Sequence, residues 1–106
     1  MGNAMPVNSA NFEAEVVNEP KLTLVKFGAA WCGPCKKLDL IIDEISKERS
    51  DFKLTYIDID KDRELPVKYG VMTVPTTLFF KNGKIMDTIV GLAPKAKLVS
   101  LIEKYI

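Results

Sequence analysis

The sequence predicts an α/β domain with a mixed, mainly parallel sheet, helices on both faces, and a C-terminal β-hairpin followed by a helix. Two observations support this fold class. Short β-prone segments alternate with segments of helical periodicity along 106 residues, close to the commonest size of one domain, so residues 1–106 are expected to form a single unit. An Asn82-Gly83 pair also separates the last two β-prone segments, and this dipeptide is the strongest short-range hairpin signal.

The N-terminal half has two predicted helices on either side of one predicted strand. Residues 9–18 carry apolar side chains at helical spacing and begin with Ser9, which can cap a helix. Residues 21–27 are short and β-prone, and small residues follow them, as where a strand runs into a loop. Residues 34–49 have apolar side chains at i, i+3, i+4 and i+7, and Pro34 suits a first helical turn because its missing N–H is not needed there.

The C-terminal half contributes the other strands. Residues 52–59 form the second predicted strand, and residues 62–69 a short helix. Residues 76–80 and 85–90 are the strands of the hairpin, and Pro94 opens a last helix. The order is therefore α, β, α, β, α, β, β, α, and the first crossovers are long enough to join parallel strands.

Composition and charge exclude several classes of function. Fifteen basic and 14 acidic residues leave a net charge of +1, which gives no reason to expect binding to nucleic acid or a polybasic membrane anchor. No apolar run approaches the roughly 18 residues of a membrane span. The chain has no histidine, which removes Ser-His-Asp triads, Cys-His proteases and the commonest zinc and haem ligands.

The N-terminal residues bear on the compartment. They lack the basic and apolar regions of a secretory signal, and Pro6 stands where a myristoylation motif needs Ser or Thr. We therefore expect a cytoplasmic protein, unless a signal peptide has been removed. Residues 1–5 are expected to be vector-derived or disordered, with Met5 as a candidate natural start.

Cys32 and Cys35 are the only cysteines, and they lie where a predicted strand has ended and a predicted helix begins. A spacing of i, i+3 across a helix start brings both sulfurs close enough for a disulfide. We expect Cys32 to be exposed at or just before the first turn, and Cys35 to be partly covered one turn further on. Free N–H groups and the positive end of the helix dipole favour a thiolate at Cys32.

This pair predicts thiol–disulfide exchange. The thiolate of Cys32 attacks a disulfide of a partner, and Cys35 then attacks the sulfur of Cys32 and releases the reduced partner. Three plainer alternatives are half of a zinc site shared between chains, a structural disulfide, and two cysteines at this spacing by accident. Structural zinc needs four ligands, and a disulfide that closes so short a loop adds little stability, so we favour a redox motif and expect no metal.

Around this motif the chain resembles the thioredoxin family, from about residue 12 to residue 106. Residues 24–27 match the strand of the family that leads into its active-site segment, and residues 30–36 match that segment, with its usual Cys-Gly-Pro-Cys core. Further matches in the family's order and spacing are Asp43-Glu44-Ile45, Ile57-Asp58-Ile59-Asp60, Lys68-Tyr69-Gly70-Val71, Val74-Pro75-Thr76, Phe79-Phe80-Lys81-Asn82-Gly83 and Gly91. The resemblance implies the thioredoxin fold and a protein disulfide reductase.

The resemblance also implies a docking surface for client proteins. It makes Val74-Pro75 a cis peptide beside the cysteines, although from the sequence alone Pro75 is more simply a strand-edge proline, because only about 5–6% of X–Pro bonds are cis. The backbone of Val74 would then be free to pair with an extended client segment. The alternative for Trp31 taken alone is a half-buried loop aromatic, and we favour the surface contact. The implied surface around Cys32 consists of Trp31, Gly33, Pro34, Val74, Pro75 and Gly91.

The expected electron supply comes from the same resemblance. A separate thioredoxin reductase, in the family usually a flavoenzyme drawing on NADPH, would restore the dithiol. The chain lacks the G-x-G-x-x-G fingerprint, so we expect no bound cofactor. The expected partners are that reductase and client proteins with disulfides, and the near-neutral charge fits a monomer. Two rival functions stay open: a thiol oxidase or disulfide isomerase, and a binding subunit with the same fold.

Lys26 departs from the family, which usually has a buried Asp at this place. Lys26 and Leu24 share one face of a strand that should be covered on both sides. Either the amine of Lys26 reaches solvent at the end of the sheet, or it lies near Cys35 and adjusts its protonation, with Tyr56 or Asp58 as a partner. Gly28, in place of a frequent bulky aromatic, opens space beside the active-site loop.

Overall fold

Five strands and three α-helices follow one another along residues 4–106, the part of the chain that the computed structural model describes. The strands are β1 (Met5–Pro6), β2 (Leu22–Gly28), β3 (Phe52–Asp58), β4 (Thr76–Lys81) and β5 (Lys84–Val90). The helices are α1 (Gly33–Glu48), α2 (Glu64–Lys68) and α3 (Lys95–Tyr105). A π-helical segment, Glu13–Val17, lies between β1 and β2.

The strands form one mixed sheet in the order β1-β3-β2-β4-β5. The pairs β1–β3 and β3–β2 are parallel, whereas β2–β4 and β4–β5 are antiparallel. Side chains of α1 and α3 pack on one face of the sheet, and the π-helical segment and α2 pack on the other. The predicted mixed sheet with helices on both faces and a terminal hairpin plus helix is confirmed.

Strand β2 is central, and all of its residues are buried. Its side chains alternate between the two faces, because successive residues of a strand point to opposite sides. Leu22 and Leu24 face α1 and α3, while Val25 and Phe27 face the π-helical segment and α2. Lys26 therefore lies on the face that α1 covers.

The connection from β3 to β4 differs from the prediction of parallel strands. β4 runs antiparallel to β2, with Thr76 opposite Phe27. The only helix in this connection, α2, has five residues, which span about 7.5 Å, whereas a strand of seven residues spans about 23 Å. The helix is too short to carry the chain back to the end of the sheet where β3 begins. Strand β4 therefore starts at the end of the sheet where β3 finishes and runs in the opposite direction.

The N-terminal segment also differs from the prediction. Instead of a helix over 9–18, only Glu13–Val17 is helical, and Ser9 does not cap it. The N–H and Oγ of Ser9 donate to one carboxylate oxygen of Asp62, at 2.6 and 2.7 Å, so this serine is occupied in another contact. Met5 of β1 pairs with Thr55 of β3, so the expectation of disorder is wrong at Met5. Residues 1–3, to which the same expectation applied, lie outside the described residues.

Candidate active site

Helix α1 begins at the cysteine pair. Cys32 is its N-cap residue, and the Sγ of Cys32 accepts the backbone N–H of Cys35 at 3.2 Å. Pro34 occupies the first turn, as predicted. The two Cα atoms are 5.3 Å apart, and the two sulfurs are joined in a disulfide. The end of β2 and the start of α1 therefore hold both sulfurs at one point.

Both cysteines are buried in this disulfide form, with 4% of Cys32 and 2% of Cys35 exposed. The prediction of an exposed Cys32 and a partly covered Cys35 is therefore wrong for the oxidised state. The pair packs on Ala29, and the side chains of Ile59 and Val74 cover it. This small apolar cluster lies at the edge of the sheet where β2 and β3 end.

Trp31 lies at the surface next to the disulfide, with 67% of the residue exposed. Its indole N–H donates to the carboxylate of Asp60 at 2.8 Å, which fixes the ring beside the end of β3. The alternative of a half-buried loop aromatic is wrong. Gly33 and Pro34 are also exposed, so three adjacent residues frame the cysteines on this side.

The loop before β4 frames the other side. The Val74-Pro75 peptide bond is cis. Pro75 is buried, and its carbonyl accepts the N–H of Gly91 at 2.8 Å, which draws the residue after β5 towards the same place. Gly91 has a φ of 89°, a conformation that favours glycine. Among residues 4–106, the backbone N–H and C=O of Val74 make no hydrogen bond.

Sequence reasoning missed a shallow groove between Trp31 and this loop. The groove has a volume of about 100 Å³, and Met72 at its rim is 93% exposed. An apolar Met72 two residues before the cis-proline loop was the available signal. The groove is lined by Trp31, Ile59, Pro66, Val71, Met72, Thr73 and Val74.

The amine of Lys26 lies inside the protein and does not reach solvent, because only 2% of the residue is exposed. It donates to the carboxylate of Asp39 on α1, and also to the backbone carbonyl of Cys35 at 3.4 Å. The amine is 5.1 Å from the centre of the Tyr56 ring, while the carboxylate of Asp58 accepts the N–H of Asp60. Of the two sequence-based alternatives, the structure shows the one with the amine near Cys35.

Asp39 was not a candidate in the sequence analysis, although a signal was present. Cys35, Asp39 and Ile42 stand at i, i+4 and i+7, which places Asp39 on the buried stripe of α1. An acid on the stripe of a helix and a lysine on the covered face of a strand are complementary. Considering the acid and the lysine together would have predicted the ion pair between Asp39 and Lys26.

Tyr56 is the third polar group at this place. Burial raises the pKa of the Tyr56 phenol, and the negative charges of Asp58, Asp39 and Asp60 raise it further. The phenol therefore stays protonated at neutral pH. Its ring packs flat against the region of Lys26 and supplies a face that attracts the ammonium.

The described residues contain neither a metal-binding cluster nor a membrane-spanning helix. Within residues 4–106, no group of three or more His, Cys, Asp or Glu side chains is placed to hold a metal ion. No helix in that range is both long enough and apolar enough to cross a membrane.

A disulfide at the N-terminus of a helix, faced by a cis-proline loop on an α/β sheet, defines a thiol–disulfide oxidoreductase. The sequence matches the family model described as Thioredoxin over residues 3–104. The chain therefore belongs to the thioredoxin family, and Cys32 and Cys35 carry out its dithiol–disulfide exchange. Client proteins with disulfides are the partners that this family implies.

Curated relatives and a solved structure agree with that assignment. The thioredoxin of Pyropia yezoensis is 40% identical over 101 residues, which are 94% of each chain. The thioredoxin of Haemophilus influenzae is 36% identical over the full length of both chains, and a chloroplastic M-type thioredoxin of Pisum sativum is 41% identical over 94% of this chain and 59% of its own. The crystal structure of Malassezia sympodialis thioredoxin (Mala s 13) superposes with a TM-score of 0.86 at 30% identity, over 99% of this chain and 92% of that one.

Proposed function

We propose that the chain is a protein disulfide reductase in which Cys32 is the nucleophile and Cys35 the resolving cysteine. The observation that carries the proposal is the position of the pair at the start of α1. Cys32, as the N-cap residue, lies at the positive end of the helix dipole, and its sulfur accepts an N–H from the first turn. Both effects stabilise a negative sulfur more than a neutral one.

The exchange proceeds in two displacements. The thiolate of Cys32 attacks one sulfur of a client disulfide, a mixed disulfide forms, and the other client sulfur leaves with the electron pair. The thiol of Cys35 loses its proton and attacks the sulfur of Cys32, whose bond to the client breaks. The client leaves as a second thiolate and takes up a proton, and Cys32–Cys35 is oxidised.

The client docks as an extended segment across the surface around the disulfide. The unpaired backbone groups of Val74 are available to form a short strand pairing with it. Pro75 holds Val74 against the cysteine cluster, and Gly33 leaves open space, since an added Cβ there meets nothing within 4 Å. The other contacts proposed for this surface come from Trp31, Pro34 and Gly91.

The electron supply and the compartment complete the proposal. A separate thioredoxin reductase that draws on NADPH restores the dithiol, and the chain acts as a monomer in the cytoplasm. The match to a bacterial thioredoxin, that of Haemophilus influenzae, supports the cytoplasmic location. Lys26 and Tyr56 adjust the protonation of Cys35, and Asp58 contributes through its charge beside Tyr56.

Reduction of insulin with a thioredoxin reductase and NADPH tests the proposal. The wild-type protein should sustain turnover, whereas Cys32→Ser should abolish it because no mixed disulfide can form. Cys35→Ser should trap client proteins on Cys32 as mixed disulfides, which non-reducing electrophoresis detects. Full biological activity of a variant that carries both substitutions, and so cannot reduce insulin, would favour the binding subunit instead.

A further inference from the structure

The buried ion pair between Lys26 and Asp39 joins the sheet to α1 one turn beyond Cys35. The side chain of Lys26 is 3% exposed and that of Asp39 is 21% exposed. The same amine also donates to the carbonyl of Cys35. The pair therefore contacts the backbone of the resolving cysteine.

The chain leaves room for this amine at Gly28. A Cβ added to Gly28 would lie 3.2 Å from the Cε of Lys26, 3.2 Å from a ring carbon of Tyr56, and 3.4 Å from the Nζ of Lys26. Few real Cβ contacts are that short, so an added methyl group would push Lys26 or Tyr56 away by a few tenths of an ångström. The absence of a side chain at Gly28 therefore leaves the space that the amine of Lys26 occupies.

Asp39 connects the amine to the surface. A cavity of about 10 Å³ adjoins the pair, which is the space that the centre of one water molecule needs. Asp39 and Asp43 line it from α1, and Tyr56 lines it from β3. The amine is enclosed, whereas the carboxylate lies at the boundary between the interior and solvent.

A buried ammonium is stable only with a counter-charge. Removing a charge from water without a partner costs several kcal/mol, so an isolated Lys26 would lose its proton or turn to solvent. Asp39 supplies the counter-charge and holds the amine at the carbonyl of Cys35. A positive charge kept at that distance favours the thiolate of Cys35.

We propose that Asp39 is a positioning residue for the resolving step: it holds the charged amine of Lys26 beside Cys35, so that Cys35 is a thiolate when it attacks Cys32. The inference rests on the proposed function, because it concerns the second displacement. The thiol of Cys35 releases its proton to solvent, a bond forms between the two sulfurs of Cys32 and Cys35, and the bond from Cys32 to the client breaks with its electron pair on the client sulfur.

Other polar and charged groups lie near the pair, and their effects on Cys35 have to be distinguished from the effect of the pair. Tyr56 and Asp58 face it from β3, and Asp60 acts on Tyr56 from the loop that follows. Asp43 lines the same cavity from α1. Thr77 is the cross-strand neighbour of Lys26 on β4, and its buried Oγ has no hydrogen-bond partner among residues 4–106.

A chromogenic aromatic disulfide, dithiobis(2-nitrobenzoate), separates the two displacements in a stopped-flow experiment. Attack by Cys32 releases the first aromatic thiolate, and attack by Cys35 on the mixed disulfide releases the second. In the wild-type protein we expect both phases, whereas Cys35→Ser should show the first phase alone. Recording both phases across a pH series gives a midpoint for each cysteine.

In Asp39→Asn we expect the midpoint of the second phase to rise by about one pH unit, with a roughly tenfold slower second phase at a pH below that midpoint. The first phase should keep its midpoint. Lys26→Met should give the same shift, and the two substitutions together should shift it no further, because Asp39 acts through Lys26. Asp43→Asn, one turn along the same cavity, should leave both midpoints unchanged.

Two variants keep the test valid if Asp39→Asn does not fold. Lys26→Met with Asp39→Leu replaces the pair by apolar side chains and should fold, yet it should show the raised midpoint. Gly28→Ala keeps both charges and crowds Lys26 and Tyr56 by a few tenths of an ångström, so it should raise the midpoint by a smaller amount. If the wild type shows both phases, the proposed function holds. If the variant that combines Lys26→Met with Asp39→Leu then has an unchanged midpoint for the second phase, the inference about Asp39 is overturned. Absence of a second phase in the wild type would overturn the proposed function itself.

Discussion

Two lysines form ion pairs with acids of α1, and their surroundings differ. On the inner face, Lys26 of β2 pairs with Asp39, and the two side chains are 3% and 21% exposed. On the outer face, Lys95 at the start of α3 pairs with Glu44 and Glu48 at 2.8 and 2.9 Å, and these side chains are between 37% and 61% exposed. The outer contacts have good geometry, yet solvent surrounds them.

The difference shows that burial decides what an ion pair does. Solvent screens the outer contacts, so they add little even though the hydrogen bonds that Lys95 donates to Glu44 and Glu48 raise the pKa of Lys95. In the inner pair, water does not surround the amine of Lys26, so each charge needs the other as its counter-charge. For the same reason the charges of the pair act on Cys35. Lys53, which pairs with Glu15 and Glu19 at partial burial, is an intermediate case.

The largest expected effect is on the inner pair. Asp39→Asn should lower the free energy of unfolding of the oxidised protein by about 3 kcal/mol, because the buried amine of Lys26 loses its counter-charge and has to give up its proton or move to solvent. Urea titration followed by circular dichroism measures this. Lys26→Met combined with Asp39→Leu should restore most of the loss. If Asp39→Asn costs less than about 1 kcal/mol, the size found for exposed pairs, the contrast between the two faces fails.

An intermediate effect is expected at Lys53. Its amine donates to the carbonyl and the carboxylate of Glu15, both at 2.8 Å, and ties β3 to the π-helical segment. Lys53→Met should cost about 1 kcal/mol near neutral pH. A loss as large as that of Asp39→Asn would show that partial burial is enough for the full effect.

The contribution of Lys53 should depend on pH in a defined direction. Burial lowers the pKa of the Lys53 amine, but the hydrogen bonds that it donates to Glu15 and Glu19 outweigh burial and raise the pKa above 10.5. A raised value in the folded state means that this stability is fully present below 10.5 and is lost as the pH rises through the folded value. From neutral pH upward, the difference in stability between the wild type and Lys53→Met should therefore shrink only in strongly alkaline solution, and a difference that already shrinks near neutral pH would contradict this sign.

The smallest effect is expected on the outer face. Lys95→Met removes both contacts to α1, and the thermal midpoint should not change measurably in 0.15 M salt, since solvent and salt already screen the charges. Differential scanning calorimetry compares the two proteins directly. A clear drop in the midpoint would mean that the outer pairs also hold α3 on α1.

Most of the fold was predictable because periodicity determines it. The strands β2 and β3, the helix α1 and the Asn82-Gly83 hairpin have strong local patterns, and each occurs at the predicted place. Strand β1 was missed because a pair of residues carries no periodicity. The direction of β4 was wrong because it depends on the length of α2, and the predicted boundaries of that helix were too wide.

The site was predictable where one motif carries the chemistry. Cys32 and Cys35 follow from the motif, whereas the docking residues stay a prediction that the family resemblance implies. The burial of Cys32 depends on Val74 and Ile59 packing over it, which local sequence does not show. Asp39 was missed because an acid in a helix is usually read as solvent-facing, and only its partner on β2 shows otherwise.

The measurement that tests the central claim most directly is the equilibrium reduction potential of Cys32–Cys35 against glutathione and dithiothreitol buffers. A protein disulfide reductase should have a potential below the cytosolic glutathione pool, which lies at about −220 to −260 mV by biochemical extraction. We expect a reduction potential close to that of typical thioredoxins, which is about −270 mV. A value between about −180 and −120 mV, as in isomerases and oxidases, would contradict the account.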